Sequence, residues 1–242
     1  MVRPPDMLDT KGQKRHSPEM LDGRILFIDA EAIIIDKPAG LPVDAPRDGS
    51  LSVENHLQSL SFGFKRWPLP VHRLDRDTSG CLLLARTPKA HKRFQQVFEE
   101  GTVQKVYLAV LDGIPEASEG VVDMPLTKVS TRETGWRMVA SPKGKAATTT
   151  WRTVATQGGR ALVEFRPTTG RTHQIRVHAA SGIGVPILGD PVYGRELAHL
   201  MLLHAASLSV PREGKSAAAA TAPMPDTFKA LGFGDDAKDA KG

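Results

Sequence analysis

The sequence predicts an α+β fold in which a mixed, mostly antiparallel sheet carries flanking helices and a central cleft. Segments with the apolar or alternating pattern of strands outnumber segments with helical periodicity. Strands and helices do not alternate regularly along the chain, which argues against a doubly wound parallel sheet. A chain of 242 residues is long enough to bury one substantial core, with two lobes around a cleft.

The predicted strands are spread along the whole chain. The first two form a hairpin, and the third contains the continuous apolar run CLLLAR, which is typical of a buried strand. In the fourth, Lys105 and Tyr107 share a face because side chains alternate along a strand. In order, the strands are expected at 25–29, 32–36, 81–86, 103–111, 147–155, 160–166 and 202–209.

Helices are fewer. Thr87 and Pro88 start one that runs to about Glu100, where Gly101 stops it. A second spans about 52–60. The apolar face of the first helix carries Ala90, Phe94, Val97 and Phe98.

Two further helices are short. One takes Thr172 as its N-cap, continues to about Ala180 and ends at Gly182. The other, at about 225–231, follows a degenerate last strand. We therefore expect a single folded domain at 24–233. A polar, Pro-containing segment at 1–23 is expected to be disordered, and 234–242 forms a flexible tail.

The most informative segment is VHRLDRDTSG, residues 71–80, which sets Asp75 and Asp77 among arginines and hydroxyl residues. Neighbouring cations keep an aspartate ionised and oriented, as a nucleophile requires. Thr78 and the following Ser-Gly resemble a turn that feeds the buried strand. Such a loop can also be a solvated surface with weak ion pairs. Asp75 is nevertheless the candidate nucleophile.

A second segment, residues 165–194, supplies a partner for that carboxylate. Its short helix places Gln174 and Arg176 within one turn, so one face can direct a guanidinium toward the Asp75 loop. An arginine can hold a carboxylate through two parallel hydrogen bonds without losing its charge. We therefore expect Arg176 to pair with Asp75.

Together these segments resemble the RluA-type family of RNA pseudouridine synthases. The resemblance rests on ILFIDAEAIIIDKPAGLPV, HRLDRDTSG, QKVYLAV, GRTHQIRVH, GDPVYG and LLHA, in the order and approximate spacing of the family, over about 24–233. It implies Asp75 as catalytic aspartate, Tyr107 as active-site tyrosine, Arg176 as the partner of the aspartate, and Leu203 in an apolar pocket wall. Other residues expected to contact substrate are His72, Arg73, Arg76, Thr78, Lys105, Arg171, His173 and Gln174.

The reaction that this resemblance implies is the isomerisation of a uridine. The N1–C1′ bond is cut, the uracil turns, and C5 joins C1′. Because neither redox change nor hydrolysis occurs, no metal or organic cofactor is expected. The target base must leave the stack, since a stacked uridine hides its reacting atoms from side chains.

Charge agrees with an RNA partner. The net charge is +5 and the pI about 9.4, which favours contact with phosphate. The stretch 127–145 is basic and surrounds Trp136, and it lacks strong strand or helix signals until Ala146. We interpret it as a basic loop that clamps RNA; a solubilising surface loop is the alternative.

The substrate class follows from the same resemblance. The short N-terminal segment leaves no room for the S4-like domain of longer members, so the chain resembles the short members that act on transfer RNA or large-subunit ribosomal RNA. A transfer RNA anticodon arm is slightly favoured over a ribosomal hairpin. No obligate protein partner is expected.

Cysteine and histidine usage sets further expectations. The single cysteine, Cys81, excludes an intramolecular disulfide and follows the pattern of a small buried residue. No segment resembles a signal peptide or a membrane span, so we expect a cytoplasmic protein. His173 and His178 are five residues apart and fall on different faces of a helix, so no metal site is expected.

Two alternatives belong to other functional classes. DRDTS echoes the DxDxT loop of aspartate-nucleophile phosphatases, which would make the protein a magnesium-dependent phosphohydrolase using Asp75. That echo is shallow, because His72, Arg73 and Leu74 are not an apolar strand and position 194 is glycine where a second acid is needed. The other alternative is a catalytically silent RNA-binding protein.

Overall fold

The computed structural model describes residues 21–133, 135–195 and 200–234. The segment 1–23 and the tail 234–242 lie almost wholly outside these ranges. The described chain is an α+β protein, and the predicted mixed, mostly antiparallel sheet is confirmed. In these ranges no helix combines the length and the apolar character that crossing a membrane requires.

The strands of the described residues form one large sheet and a separate hairpin. In chain order they are β1 (Ile25–Ile28), β2 (Ala32–Lys37), β3 (Leu69–Pro70), β4 (Ser79–Ala85), β5 (Gln104–Leu111), β6 (Glu119–Asp123), β7 (Leu126–Thr131), β8 (Gly135–Ala140), β9 (Thr148–Gln157), β10 (Arg160–Pro167), β11 (Leu203–Arg212) and β12 (Lys215–Thr221). The sheet order is β1-β2-β4-β11-β5-β10-β9-β6, with β3 on β4 and β12 on β11. Of these pairs, β4 and β11 run parallel.

The centre of the sheet follows from the apolar runs of the sequence. Strands β2 and β4 are buried on both faces, as continuous runs of Ile and Leu predict. Sequence patterns did not predict β3 or β6. The predicted basic loop 127–145 is also wrong in form, because most of it is the β7–β8 hairpin. This ribbon is exposed along much of both faces, so it lacks the apolar alternation that marks a half-buried strand.

Helix α1 (Pro88–Glu99) is close to its predicted extent, and the Thr87 hydroxyl caps it by accepting from the amide of Ala90 at 3.1 Å. The predicted helix at 52–60 is instead a 3₁₀ helix, Val53–Leu60.

The helix expected between Thr172 and Gly182 differs from the prediction in its N-cap, its length, its type and its terminator. Helix α2 spans only Gln174–Val177 and continues as a π-helical segment, His178–Ile183. Its N-cap is His173, which has a left-handed backbone with φ of 53°. Its terminator is Gly184, at φ of 85°. Non-glycine residues seldom adopt such a φ, and π segments are often found at functional sites. The last short helix, α3, is Asp226–Lys229.

Gly80 explains how the Asp75 loop meets the sheet. Its φ is 102°, and a Cβ there would lie 2.3 Å from the carbonyl oxygen of Ala205. Only glycine therefore allows β4 and β11 to approach at the parallel pair where Gly80 faces Ala205. This close approach places the loop before β4 beside the start of β11.

Candidate active site

A cleft of about 990 Å³ opens where the Asp75 loop, strand β5 and the start of helix α2 meet. The predicted site residues line its walls, although Asp75 and Arg176 are more than a hundred positions apart in the sequence. It is lined in part by His72, Asp75, Tyr107, His173, Arg176 and Leu203. The Asp75 side chain is 26% exposed, so it is open to a ligand in the cleft.

Arg176 lies between two carboxylates. Its Nη1 donates to Asp75 Oδ2 at 3.0 Å, as the sequence predicted. The two-bond clamp, however, is made with Asp190: Nε donates to Oδ2 at 2.8 Å and Nη2 to Oδ1 at 2.7 Å. Asp190 is fully buried. Arg176 therefore has a fixed orientation that does not depend on Asp75.

The sequence patterns did not predict the pairing of Asp190 with Arg176. Asp190 also shapes the turn that follows it, since its Oδ1 accepts from the amides of Val192 and Tyr193 at 2.8 and 3.0 Å. Burial alone raises the pKa of Asp190, but its hydrogen bonds to Arg176, the charge of Arg176 and the two amides hold that pKa below its usual value. Asp190 thus stays ionised and holds the guanidinium.

Lys37 holds the backbone of the Asp75 loop in place, a role that the sequence patterns did not predict. Its Nζ donates to the carbonyl oxygens of Pro38, Leu41 and Arg76 at 2.8, 2.7 and 3.0 Å. Burial lowers the pKa of Lys37 to about 7, against the opposing charges of Asp77, Asp75 and Asp36. Three donated bonds require the ammonium form, so the carbonyl acceptors favour the charged lysine.

Replacing Lys37 by methionine is expected to lower the free energy of unfolding by about 3 kcal/mol, because a buried acceptor left without a partner costs about 1–3 kcal/mol. Chemical denaturation measures this change. Lys92→Met is the control, since Lys92 is exposed on α1. Equal midpoints for the two variants would contradict the role given to Lys37.

Tyr107 and Leu203 form the apolar side of the cleft. They lie on the neighbouring strands β5 and β11, and both pack in the cluster that contains Phe165. Burial raises the pKa of the Tyr107 phenol, and the charge of Asp75 acts in the same direction. Tyr107 is therefore a neutral phenol in the wall of the cleft that Asp75 also lines.

His173 links the cleft to the β7–β8 hairpin. Its Nδ1 lies 2.9 Å from the Tyr193 hydroxyl, and its Nε2 lies 3.9 Å from Asp75 Oδ2. The Tyr193 oxygen also accepts from the amide of Met138 in β8 at 2.9 Å. The Trp136 ring tilts against His173 with centroids 5.0 Å apart. Burial lowers the pKa of His173, and the Asp75 carboxylate partly opposes this.

The side-chain amide of Gln174, which lines the cleft, is hydrogen-bonded within the protein. Gln174 is buried, and its amide hydrogen-bonds to Thr169, Arg171, Thr148 and Thr149 at distances from 2.7 to 3.1 Å. Lys105 supports the same loop by donating to the Thr169 carbonyl oxygen at 3.1 Å. These contacts fix the loop that carries Arg171, whose Nε donates to the Ala146 carbonyl oxygen at 3.0 Å.

The remaining predicted residues surround the Asp75 loop. His72 Nε2 accepts from the Leu83 amide at 3.0 Å, and burial lowers the pKa of His72 to about 3, so the ring is a neutral support. Arg73 pairs with Asp44 at 2.7 Å, with both side chains exposed. Arg76 is exposed and donates to the Gly40 carbonyl oxygen at 3.2 Å. Thr78 closes the turn, because its amide donates to the Asp75 carbonyl oxygen at 3.1 Å.

Comparison with known proteins gives a consistent result. The sequence profile described as RNA pseudouridylate synthase matches residues 31–181. A Zymomonas mobilis protein called an uncharacterized RNA pseudouridine synthase is 60% identical over 217 residues, 88% of this chain and 99% of that protein. Ribosomal large subunit pseudouridine synthase D of the same organism is 36% identical over 84% of this chain, which spans 65% of its length.

Among solved structures, human RNA pseudouridylate synthase domain containing 4 superposes with a TM-score of 0.74 at 27% identity. The match covers 88% of this chain and 92% of the human one.

Proposed function

The chain belongs to the family of RNA pseudouridine synthases, and we propose that it converts a specific uridine of a structured RNA to pseudouridine with Asp75 as the catalytic aspartate. The observation that carries this assignment is the position of Asp75 in the cleft. Its carboxylate is open to a ligand, is held by Arg176 and lines the same cleft as Tyr107. A flipped uridine would then have its sugar at Asp75 and its base against Tyr107.

Asp75 acts on the nucleotide by covalent attack or by proton removal at C2′, and both routes need an ionised carboxylate. Arg176, which donates a hydrogen bond to Asp75, places a fixed positive charge next to this carboxylate. N1 then detaches from C1′ and the uracil turns. As C5 bonds to C1′, the covalent route breaks the bond between Asp75 and C1′, and the elimination route returns the proton to C2′. The C5 proton then leaves and N1 gains a proton, so the product is an isomer of the substrate.

Tyr107 is proposed to stack on the flipped base and to assist the loss of the C5 proton. Tyr107→Phe should retain binding but slow the step after base detachment, because only the hydroxyl is removed. Tyr107→Leu should also weaken RNA binding, since base stacking contributes about 1–3 kcal/mol. Single-turnover rates and binding titrations separate these effects. Parent-like turnover of both variants would show that Tyr107 is a core residue.

His173 is proposed to donate to the target nucleotide from Nε2. The Tyr193 oxygen accepts a hydrogen bond from the Met138 amide. The Tyr193 hydroxyl proton is then available to Nδ1 of His173. A neutral imidazole whose Nδ1 accepts carries its proton on Nε2, the nitrogen that faces Asp75. The left-handed backbone of His173 supports a functional position.

The hairpin and the segment after it are proposed to contact RNA phosphates. Lys128 lies 4.9 Å from the Trp136 ring centroid, and Arg132, Lys143 and Lys145 are exposed close by in sequence. Alanine at these four positions should weaken binding and reduce the slope of log K against log salt by about 0.7–0.9 per lost contact. The control removes Lys215 and Lys229, both outside the cleft lining. An unchanged slope would make the hairpin a solubilising surface.

The substrate we propose to test first is a hairpin of large-subunit ribosomal RNA, because relatives at 36% and 40% identity carry that substrate in their names. The second candidate is a transfer RNA anticodon arm. Both expose a loop uridine that can be flipped at modest cost. Pseudouridine mapping of total RNA from a deletion strain tests the proposal, since the lost site names the substrate. If no site disappears, the proposed activity is wrong.

A further inference from the structure

An aromatic surface lies outside the cleft, in the segment FGFKRW (residues 62–67) before strand β3. Phe62, Phe64 and Trp67 are 46%, 37% and 55% exposed. Between them stand Lys65 and Arg66, which are exposed and make no ion pair within the described part of the chain. Three exposed aromatic rings and two exposed cations in six residues are an unusual composition for an inert loop.

The loop is held in this arrangement by a buried arginine. Arg86 is 8% exposed, and its Nη2 donates to the carbonyl oxygens of Ser61 and Phe62, each at 3.2 Å. Its Nη1 donates to the Asp29 carbonyl oxygen at 2.7 Å, and its guanidinium lies 3.9 Å from the centroid of the Phe64 ring. Phe62 has a left-handed backbone with φ of 43°. The surrounding structure therefore fixes the backbone at Phe62 and the ring of Phe64.

The segment is continuous with the cleft. Leu69 and Pro70, which follow Trp67, line the cleft together with His91 and Gln95 of α1. Leu69 pairs with Ala85 at the far end of β4 from the Asp75 loop. Seven residues of strand span about 20 Å, which corresponds to no more than about six stacked nucleotides. RNA that leaves the target along this side of the cleft therefore reaches the aromatic segment.

We propose that residues 62–67 form a second RNA-binding site, which stacks one or two unpaired bases several nucleotides from the target uridine. Aromatic faces accept any base, and Lys65 and Arg66 supply the positive charge that a phosphate backbone requires. This inference rests on the proposed function. If residues 62–67 bind RNA, the protein contacts a longer stretch of RNA than the catalytic cleft alone. An unpaired segment next to the target uridine then contributes to binding.

The test compares a long and a short RNA. Binding of the whole protein is measured with single-stranded oligouridylates of about 12 and about 4 nucleotides. The long RNA can span the roughly six nucleotides between the Asp75 loop and the aromatic segment, and the short RNA cannot. Trp67→Ala should weaken binding of the long RNA about tenfold and leave the short RNA unchanged. Trp67→Phe, which keeps an aromatic face, should restore the long-RNA affinity. Val121→Ala is the control, because Val121 is 64% exposed on β6.

The K65A/R66A double variant supplies an independent measurement, since it leaves the rings in place. It should reduce the salt dependence of binding for the long RNA alone. Equal affinity of parent and Trp67→Ala for the long RNA overturns the proposal. Equal weakening for both RNAs overturns it as well. A wrong assignment of the enzymatic activity would give a different result. In that case the parent protein would convert no uridine to pseudouridine, whichever RNA it binds.

Discussion

Asp75→Asn is expected to abolish pseudouridine formation while RNA affinity stays within about tenfold of the parent. Asparagine matches aspartate in shape but lacks the charge and nucleophilicity that both proposed routes require. Few phosphate contacts are removed, and phosphate contacts dominate affinity. The fold should persist, because Arg176 keeps two hydrogen bonds to Asp190.

The matched control is Asp77→Asn, the same change two residues along the same loop. Asp77 lines the cleft but makes no bond to Arg176. It should keep most of the activity. Single-turnover assays and binding titrations distinguish the variants. Turnover by the Asp75 variant would remove Asp75 from the mechanism, and a joint loss of activity and binding would indicate misfolding.

Arg176→Lys is expected to cause the second largest loss. An ammonium cannot reproduce the planar contact with Asp190 and also donate to Asp75. Activity should fall severely. The free energy of unfolding should also fall, by less than the about 3–5 kcal/mol that follows deletion of one partner of a buried ion pair.

Arg171→Lys is the control for this change. Arg171 is exposed, and among the described residues its guanidinium makes one hydrogen bond, to the Ala146 carbonyl oxygen. Its replacement should be mild in both activity and stability. Small and equal losses for the two variants would contradict the view that Arg176 positions Asp75.

The parts of the fold that could be predicted from sequence are those whose signals are local. The Ile and Leu runs of β2 and β4 and the Thr87-Pro88 start of α1 need only neighbouring residues, and all three lie within a few residues of their predicted bounds. The β7–β8 hairpin was missed because a two-stranded ribbon exposed along much of both faces lacks the apolar alternation of a half-buried strand. It also contacts Tyr193 and His173, which are distant in sequence.

The candidate site shows the same division. The contact between Arg176 and Asp75 was anticipated, but the clamp on Asp190 was not, because only the fold brings Asp190 beside helix α2. Lys37 was missed for a related reason, since its three acceptors include Arg76, 39 positions away. A signal was available in both cases: a charged residue within an apolar stretch must find a partner when it is buried.

The most direct test of the central claim uses transcripts of the two candidate RNAs labelled with tritium at C5 of uridine. Isomerisation breaks the C5–H bond, so tritium passes to water once per pseudouridine formed. The purified protein should release about one equivalent from one of these RNAs, with or without a metal chelator, and Asp75→Asn should release none. Tritium release by Asp75→Asn at the parent rate, or none by the parent from an RNA whose pseudouridine the deletion strain lacks, would contradict the account.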